Sequence, residues 1–445
     1  MHNDHVFYRN LLAEYPTIVR GEGVYLYDSE GKRYLDSCSG ANVTDLGYGV
    51  EEIIEAMTQQ ARKIGYVHAS RFRSEPIIEM ADRVVEMAPA GLNRVYFVPG
   101  GSEANESALK LARQYHLGNG NLQKYIFVGR WQCFHGGTIA ALSMTGKTSM
   151  RRELGPLLLR FPHIVPPYCY RCPLGQSYPG CEVACADELE RMALQSNVET
   201  ISGFITEVIN GPSIAGLTPP PEYYPRIREI CDKYDLLFVV DEVMTGFGRT
   251  GANFAIDHWG VTPDIITFGK GIAGGYGVLG GLIVADEITD VLIQKREGQF
   301  YNSYSHCGDP LSTAVGAAVL KFIKAHDLVE KARQKGEYLL TNLKELAGKH
   351  PTMGDVRGKG LQLGVEFVKD KETKEPFPTE IRFAGRLSQH TTEKGVLIFP
   401  IQGCIDGVFG DEILITPPLV ISHGEIDEMI SVLDEALAEV EGELL

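Results

Sequence analysis

The chain has 445 residues, of which 44% are hydrophobic and 22% charged, a size and composition that fit two globular domains with ordinary cores. Its net charge of −16, from 42 basic and 58 acidic residues, comes with no basic block, which argues against nucleic-acid binding because that affinity rests on Lys and Arg neutralising phosphates. The opening MHNDHVFYRN lacks a basic stretch followed by an apolar one, and no segment free of Asp, Glu, Lys and Arg reaches the ~18 residues of a membrane span, so a cytoplasmic location is expected.

Residues 21–36, GEGVYLYDSEGKRYLD, alternate aromatic and polar side chains about a turn at 29–31 and predict a hairpin. RVYFV (94–98) predicts a short buried strand. A helix over 102–116 follows, with Ala104, Ala108, Leu111, Ala112 and Tyr115 on one face. Apolar runs at 125–128, 203–208, 236–240, 264–268 and 279–285 predict further strands, and 224–234 predicts a helix between two of them. Strands alternating with helices specify an α/β domain with a mainly parallel sheet. Beyond it lie amphipathic helices at 326–349 and 424–442 and short strands at 360–367 and 412–416. The expected organisation is a large domain over 65–325 and a small α+β domain built from 1–64 and 326–445.

Two strand ends carry the chemistry. LLFVV runs into Asp241, then EVMTGFGRTG; DIITF runs into Gly269 and Lys270, then GIAGGYG. Ligands of open α/β sheets bind beyond the carboxyl ends of the strands, so an acid and an amine meet there among glycines. Either alone reads as a turn residue or a solvated charge. Together they suit pyridoxal 5′-phosphate: the lysine forms an imine with the cofactor aldehyde, and the aspartate keeps the pyridine nitrogen protonated so that the ring accepts electrons. The freed lysine then moves a proton between substrate and cofactor carbons.

PGGSEAN (99–105) joins strand 94–98 to the following helix. Its glycines permit a tight turn, Ser102 can cap the helix, and the helix N-terminus forms a phosphate cradle; an ordinary strand-to-helix turn is the plainer alternative. In Phe134–His135–Gly136–Gly137 the aromatic ring can stack on a pyridine face, where otherwise it is a core Phe beside a surface His. Gly275, Gly277 and Gly280 spell G-x-G-x-x-G, but a strand rather than a helix follows. GKT at 146–148 has Ala141 where a P-loop needs glycine.

GGSEAN, FHGG, VVDEVMTGFGRTG with FGKGIAGG, and TPPL (416–419) together resemble the class III aminotransferases, enzymes of fold type I of the pyridoxal-phosphate-dependent transferases; GEGVYLYDSEGKRYLD and VRGKGLQLGVEF (356–367) match that family in order and spacing. The resemblance covers nearly the whole chain. It implies a Schiff base at Lys270, an ion pair from Asp241 to the ring nitrogen, and Val243 against the ring face opposite Phe134. It implies phosphate contacts from Gly101 and Ser102, with His135 among the cofactor-binding residues. Glu207 falls where the family often has a glutamate near the pocket or cofactor. Ser305 falls where a threonine usually reaches the partner subunit's phosphate, which implies a homodimer with shared sites.

The implied reaction passes an amino group from an amine or ω-amino acid, through a pyridoxamine phosphate intermediate, to a keto acid, by analogy pyruvate. Racemisation, decarboxylation or an intramolecular amino shift on the same scaffold is the alternative. Three departures stand out. Met244 replaces the glutamine of the ornithine and 4-aminobutyrate branches, and a thioether cannot make that amide's hydrogen bond. The stretch 401–418 has no arginine, although many ω-amino acid transaminases bind a carboxylate with one there. Arg71 and Arg73 lie near the expected pocket mouth, where either one is a candidate for an acidic substrate group or a surface ion pair.

Cys169, Cys172, Cys181 and Cys185 form C-x2-C-x8-C-x3-C, the pattern of a small zinc knuckle, of free thiols or of a local disulfide. Four sulfur ligands would leave no open position, so no catalytic metal is expected.

Overall fold

The computed structural model describes residues 4–444. Near the N-terminus β1 (Ile18–Glu22), β2 (Tyr25–Asp28) and β3 (Arg33–Asp36) form a meander. The expected hairpin is β2–β3; its turn is fixed by Asp28, whose Oδ1 accepts from the backbone N–H groups of Glu30 and Lys32. The preceding strand β1 escaped the sequence reading because its side chains are almost all exposed, leaving no apolar alternation to detect.

The central sheet comprises β4 (Leu92–Val98), β5 (Ile126–Arg130), β6 (His163–Ile164), β7 (Ile201–Glu207), β8 (Leu237–Asp241), β9 (Ile265–Phe268) and β10 (Gly280–Ala285), in the order β4-β10-β9-β8-β7-β5-β6. Only β10 runs against its neighbours. Every residue of β7, β8 and β9 is buried, as a parallel sheet covered on both faces requires, which explains their unbroken apolar runs. Helix Gly101–Gly118 packs on β9 and β10 through buried Ala104, Ala108, Leu111 and Ala112. Helix Tyr223–Tyr234 buries Tyr223, Tyr224, Ile227 and Ile230.

Two four-stranded sheets complete the chain. One is β1-β2-β3-β13, in which β13 (Val396–Leu397) lies parallel to β3 and ties the two ends of the chain together. The other is antiparallel, β11-β12-β15-β14, from β11 (Met353–Lys359), β12 (Gln362–Phe367), β14 (Phe399–Ile405) and β15 (Phe409–Ile415). The sequence marks β12 and β15, the buried central pair; it misses the edge strands β11, rich in polar residues, and β14, whose Pro400 is tolerated only at an edge. Helices Leu328–Lys349, Phe383–Glu393 and His423–Leu444 cover these sheets.

One buried cation joins the parts. The Arg249 guanidinium, fully buried, donates to Asp45 Oδ1 at 2.6 Å, to Leu361 O at 3.1 Å and to the Pro417 carbonyl. Removing it strands the Asp45 carboxylate in the interior. Arg249→Met is expected to lower stability by about 3–5 kcal/mol, read as a shift of the urea unfolding midpoint; an unmoved midpoint would contradict this.

Candidate active site

The ends of β7, β8 and β9 lie side by side: Glu207 is registered with Asp241, and Asp241 with Thr267. Lys270 follows three residues beyond Thr267, at φ +48, so the chain turns sharply at the end of β9. The sheet therefore delivers the acid and the amine to one place by register alone.

Asp241 is 4% exposed, and both its oxygens are engaged. Oδ2 accepts from Asn105 Nδ2 at 2.8 Å and from His135 Nδ1 at 2.8 Å; Oδ1 accepts from the Val243 backbone N–H at 3.0 Å. Burial pulls the His135 imidazole down, but its hydrogen bond to Asp241 prevails and lifts it to about 10. His135 thus stands behind the carboxylate as its cation. Asn105 is fixed in turn by the His135 carbonyl at 2.7 Å and by Thr267 Oγ1, which donates to its Oδ1 at 2.7 Å. The sequence reading gave Asn105 no role. A signal was present: Asn105 shares a helical face with Ala108 and Ala112, and an amide among buried alanines needs partners.

Lys270 opens onto a cavity of about 380 Å³ whose walls include Phe134, Met244, Phe399 and Leu414. Burial lowers the lysine pKa, and the carboxylates of Asp241, Glu207 and Asp45 oppose that shift. Glu207 Oε2 accepts from the Phe134 N–H at 2.8 Å and Oε1 from the Gly211 N–H at 3.0 Å, so it shapes the loop that carries Phe134. Its own pKa is raised, first by burial.

Beside Lys270, neighbouring side chains crowd the glycine backbone very closely. A Cβ on Gly101 would lie 2.8 Å from Val243 Cγ1, and one on Gly271 would lie 2.0 Å from Asp45 Oδ2. Gly136, at φ +134, faces Ser102 so tightly that a Cβ there would lie 2.4 Å from its Oγ. Ser102 is not the helix cap expected from sequence. The helix starts one residue earlier, with Gly100 as its N-cap, and Ser102 Oγ instead accepts from the Gly137 N–H at 3.2 Å, leaving its O–H free to donate. The helix N-terminus and the Ser102 hydroxyl place hydrogen-bond donors beside these glycines, the donor type that a phosphate takes. The site thus offers an amine for an aldehyde, a carboxylate for a ring nitrogen, and donors for a phosphate.

Other expected residues fall outside this cavity. Ser305 is exposed in the loop before helix Pro310–Ala325, where its carbonyl accepts from Tyr66 Oη at 2.9 Å. Arg71 and Arg73 are exposed in the neighbouring loop, and neither lines the Lys270 cavity. The cations that do line it are Lys147 and Arg9, which sequence reasoning missed. Lys147 lies in the very GKT that fails as a P-loop.

The four cysteines of 169–185 are free and surround one small pocket between β6 and helix Ala184–Gln195. Among the described residues, the one set of three metal-ligand atoms all within 4.8 Å of one another lies elsewhere: Glu366, Cys404 and Glu412. Its charge is already met by guanidinium groups, with Arg171 Nε 2.5 Å and Arg357 Nη1 3.1 Å from Glu366, and with Arg357 also paired to Glu412.

A model of the family described as aminotransferase class-III matches residues 9–437. The chain is 38% identical to an uncharacterized aminotransferase, YodT, of Bacillus subtilis over 98% of this chain and 97% of that one. It is 36% identical to a putrescine–pyruvate aminotransferase of Pseudomonas aeruginosa, covering 94% and 90%. Among solved structures, a thermostable (S)-enantioselective omega-transaminase from Thermomicrobium roseum aligns with a TM-score of 0.90 at 37% identity, over 99% of this chain and 96% of that one. A transaminase from a marine Virgibacillus aligns at 0.93 and 33%, over 100% and 98%. The fold is the type I α/β fold of these enzymes, and the chain belongs to the pyridoxal-phosphate-dependent class III aminotransferases.

Proposed function

We propose that the chain transfers an amino group from an amine or ω-amino acid donor to a keto acid, with pyruvate as the acceptor. The observation that carries this reading is the placement of Lys270 beside Asp241 at adjacent strand ends, opening onto a cavity with apolar walls. The Pseudomonas relative named for putrescine and pyruvate supports an amine donor and this acceptor.

Pyridoxal phosphate, when bound, supplies an aldehyde that takes up the amino group and a ring that accepts the electron pair left on the substrate carbon. The chain's own groups do the rest. Lys270 Nζ, whose pKa burial lowers, would hold the cofactor and carry the proton at the substrate carbon. Asp241, backed by His135, would keep a proton on the ring nitrogen. Gly101, Ser102 and the 136–137 backbone would bind the phosphate, with Phe134 and Val243 as the residues that would pack on the ring. The hydrophobic wall of Met244, Phe399 and Leu414 excludes water from the donor side.

The domain division at 65 and 325 and a cytoplasmic location belong to the same reading; all nine cysteines are free, which suits a reducing compartment. No helix among the described residues is long and apolar enough to cross a membrane. A homodimer is supported by the loops around Ser305. Tyr66 packs against His306 at 5.4 Å, and Phe72, Val278 and Tyr301 are 64%, 68% and 69% exposed, aromatic and aliphatic surface that a partner would cover.

Borohydride reduction of the purified protein is expected to fix the cofactor on Lys270, located by peptide mass mapping; an unlabelled Lys270 would refute the assignment. Lys270→Ala should lose roughly 10²–10⁴-fold in turnover or more, since it removes the proton carrier. Adding an amine alone should convert the bound cofactor to its amine form, seen by absorbance. A racemase, decarboxylase or aminomutase would return the starting spectrum. Sedimentation should show a dimer, and a monomer with full activity would exclude shared sites.

A further inference from the structure

We infer that Lys147, assisted by Arg9, receives the carboxylate of the keto acid acceptor; the inference rests on the transaminase reading above and names the substrate end of that same cavity. The stretch 401–418 offers no cation, and the cavity wall it helps to build presents Leu414 and Thr416 beside Phe399 and Pro400. The acid group of a keto acid therefore needs another partner. Two cations share the cavity with Lys270, one from the N-terminal segment and one from the turn that follows helix Ile139–Met144.

Lys147 is available for this role because no described carboxylate pairs with it directly. Among the described residues neither Lys147 nor Arg9 has a carboxylate within 4.0 Å. The Lys147 ammonium makes one hydrogen bond, to the Pro212 carbonyl, and has two further N–H donors. Glu207 and Glu412 are near enough to act on it electrostatically, yet both are committed elsewhere. Glu207 is held by the N–H groups of Phe134 and Gly211, and Glu412 by the Ala215 N–H and Arg357. A largely buried ammonium with one neutral partner is costly, and burial accordingly lowers its pKa, with Arg9 adding to the effect. An incoming carboxylate supplies the missing counter-charge. Arg9 is exposed and stands at the outer side, placed to meet the anion first. The apolar residues of the same cavity, Phe134, Met244, Phe399 and Leu414, accommodate the carbon skeleton of an amine that carries no acid group.

The test compares Lys147→Met, Lys147→Arg and Arg9→Ala in the cofactor-loaded enzyme, following each half-reaction separately by cofactor absorbance. Loss of one hydrogen bond to a charged group predicts a rise in the pyruvate KM of roughly 10- to 100-fold in Lys147→Met. Recovery of most of that loss is expected in Lys147→Arg, with a smaller rise in Arg9→Ala. The KM of a carboxylate-free aldehyde acceptor should move far less than that of pyruvate. Calorimetric titration with propionate, which bears the carboxylate but cannot react, should show binding that Lys147→Met abolishes. An unchanged pyruvate KM in Lys147→Met, or in Lys147→Gln if the first variant does not fold, overturns the inference. Equal losses for pyruvate and the aldehyde overturn it too, since they indicate a structural role. Failure of the unmodified enzyme to react with any amine would instead count against the transaminase reading, and propionate binding would still report on Lys147 by itself.

Discussion

The arrangement depends on keeping one carboxylate charged inside a dry sheet. Asp241 sits at the end of a strand whose every residue is buried, where an isolated carboxylate would take up a proton rather than stay ionised. Two neutral donors and an imidazolium prevent that: Asn105, the Val243 N–H and His135, whose pKa of about 10 keeps it protonated across the neutral range. The sign is that of a base gaining an acidic partner. The stabilisation is complete below the ordinary histidine pKa, declines as pH rises above it, and is lost once pH passes about 10.

The same network explains why the neighbouring loops have so little freedom. Asn105 lies on helix Gly101–Gly118, His135 on the loop after β5, and Thr267 on β9, so three elements are pinned to one acid. Those elements also carry the glycine cradle and Phe134. Positioning the Asp241 carboxylate and positioning the Gly101–Ser102 turn are, in this chain, one structural problem with one solution.

Much of this was legible in the sequence because the parallel sheet writes itself as apolar runs that stop abruptly at Asp241 and Lys270. Helix faces were legible for the same reason, through Ala104, Ala108, Leu111 and Ala112. The edge strands were not, since β1 and β11 bury little and β14 contains proline. The helix cap was misplaced by two residues, because Gly100 and Ser102 are both acceptable caps and only the backbone decides. Lys147 and Arg9 were beyond reach for a different reason. The cavity is assembled from segments as far apart as residues 9, 147 and 416, and no periodicity links them. Arg71 and Arg73 looked the better cations because a pair of arginines in an exposed loop is conspicuous, whereas a single lysine in a turn is not.

The closeness of the backbone around Gly101, Gly136 and Gly271 has a consequence for redesign. A library that randomises these three glycines would spend its members on positions where even a methyl group meets a neighbour at 2.0 to 2.8 Å. Diversity is tolerated instead on the far side, where Phe399, Met150 and Leu414 face open volume and can be trimmed or exchanged one at a time. Substrate range in this scaffold can change through Phe399, Met150 and Leu414 without disturbing the crowded glycines.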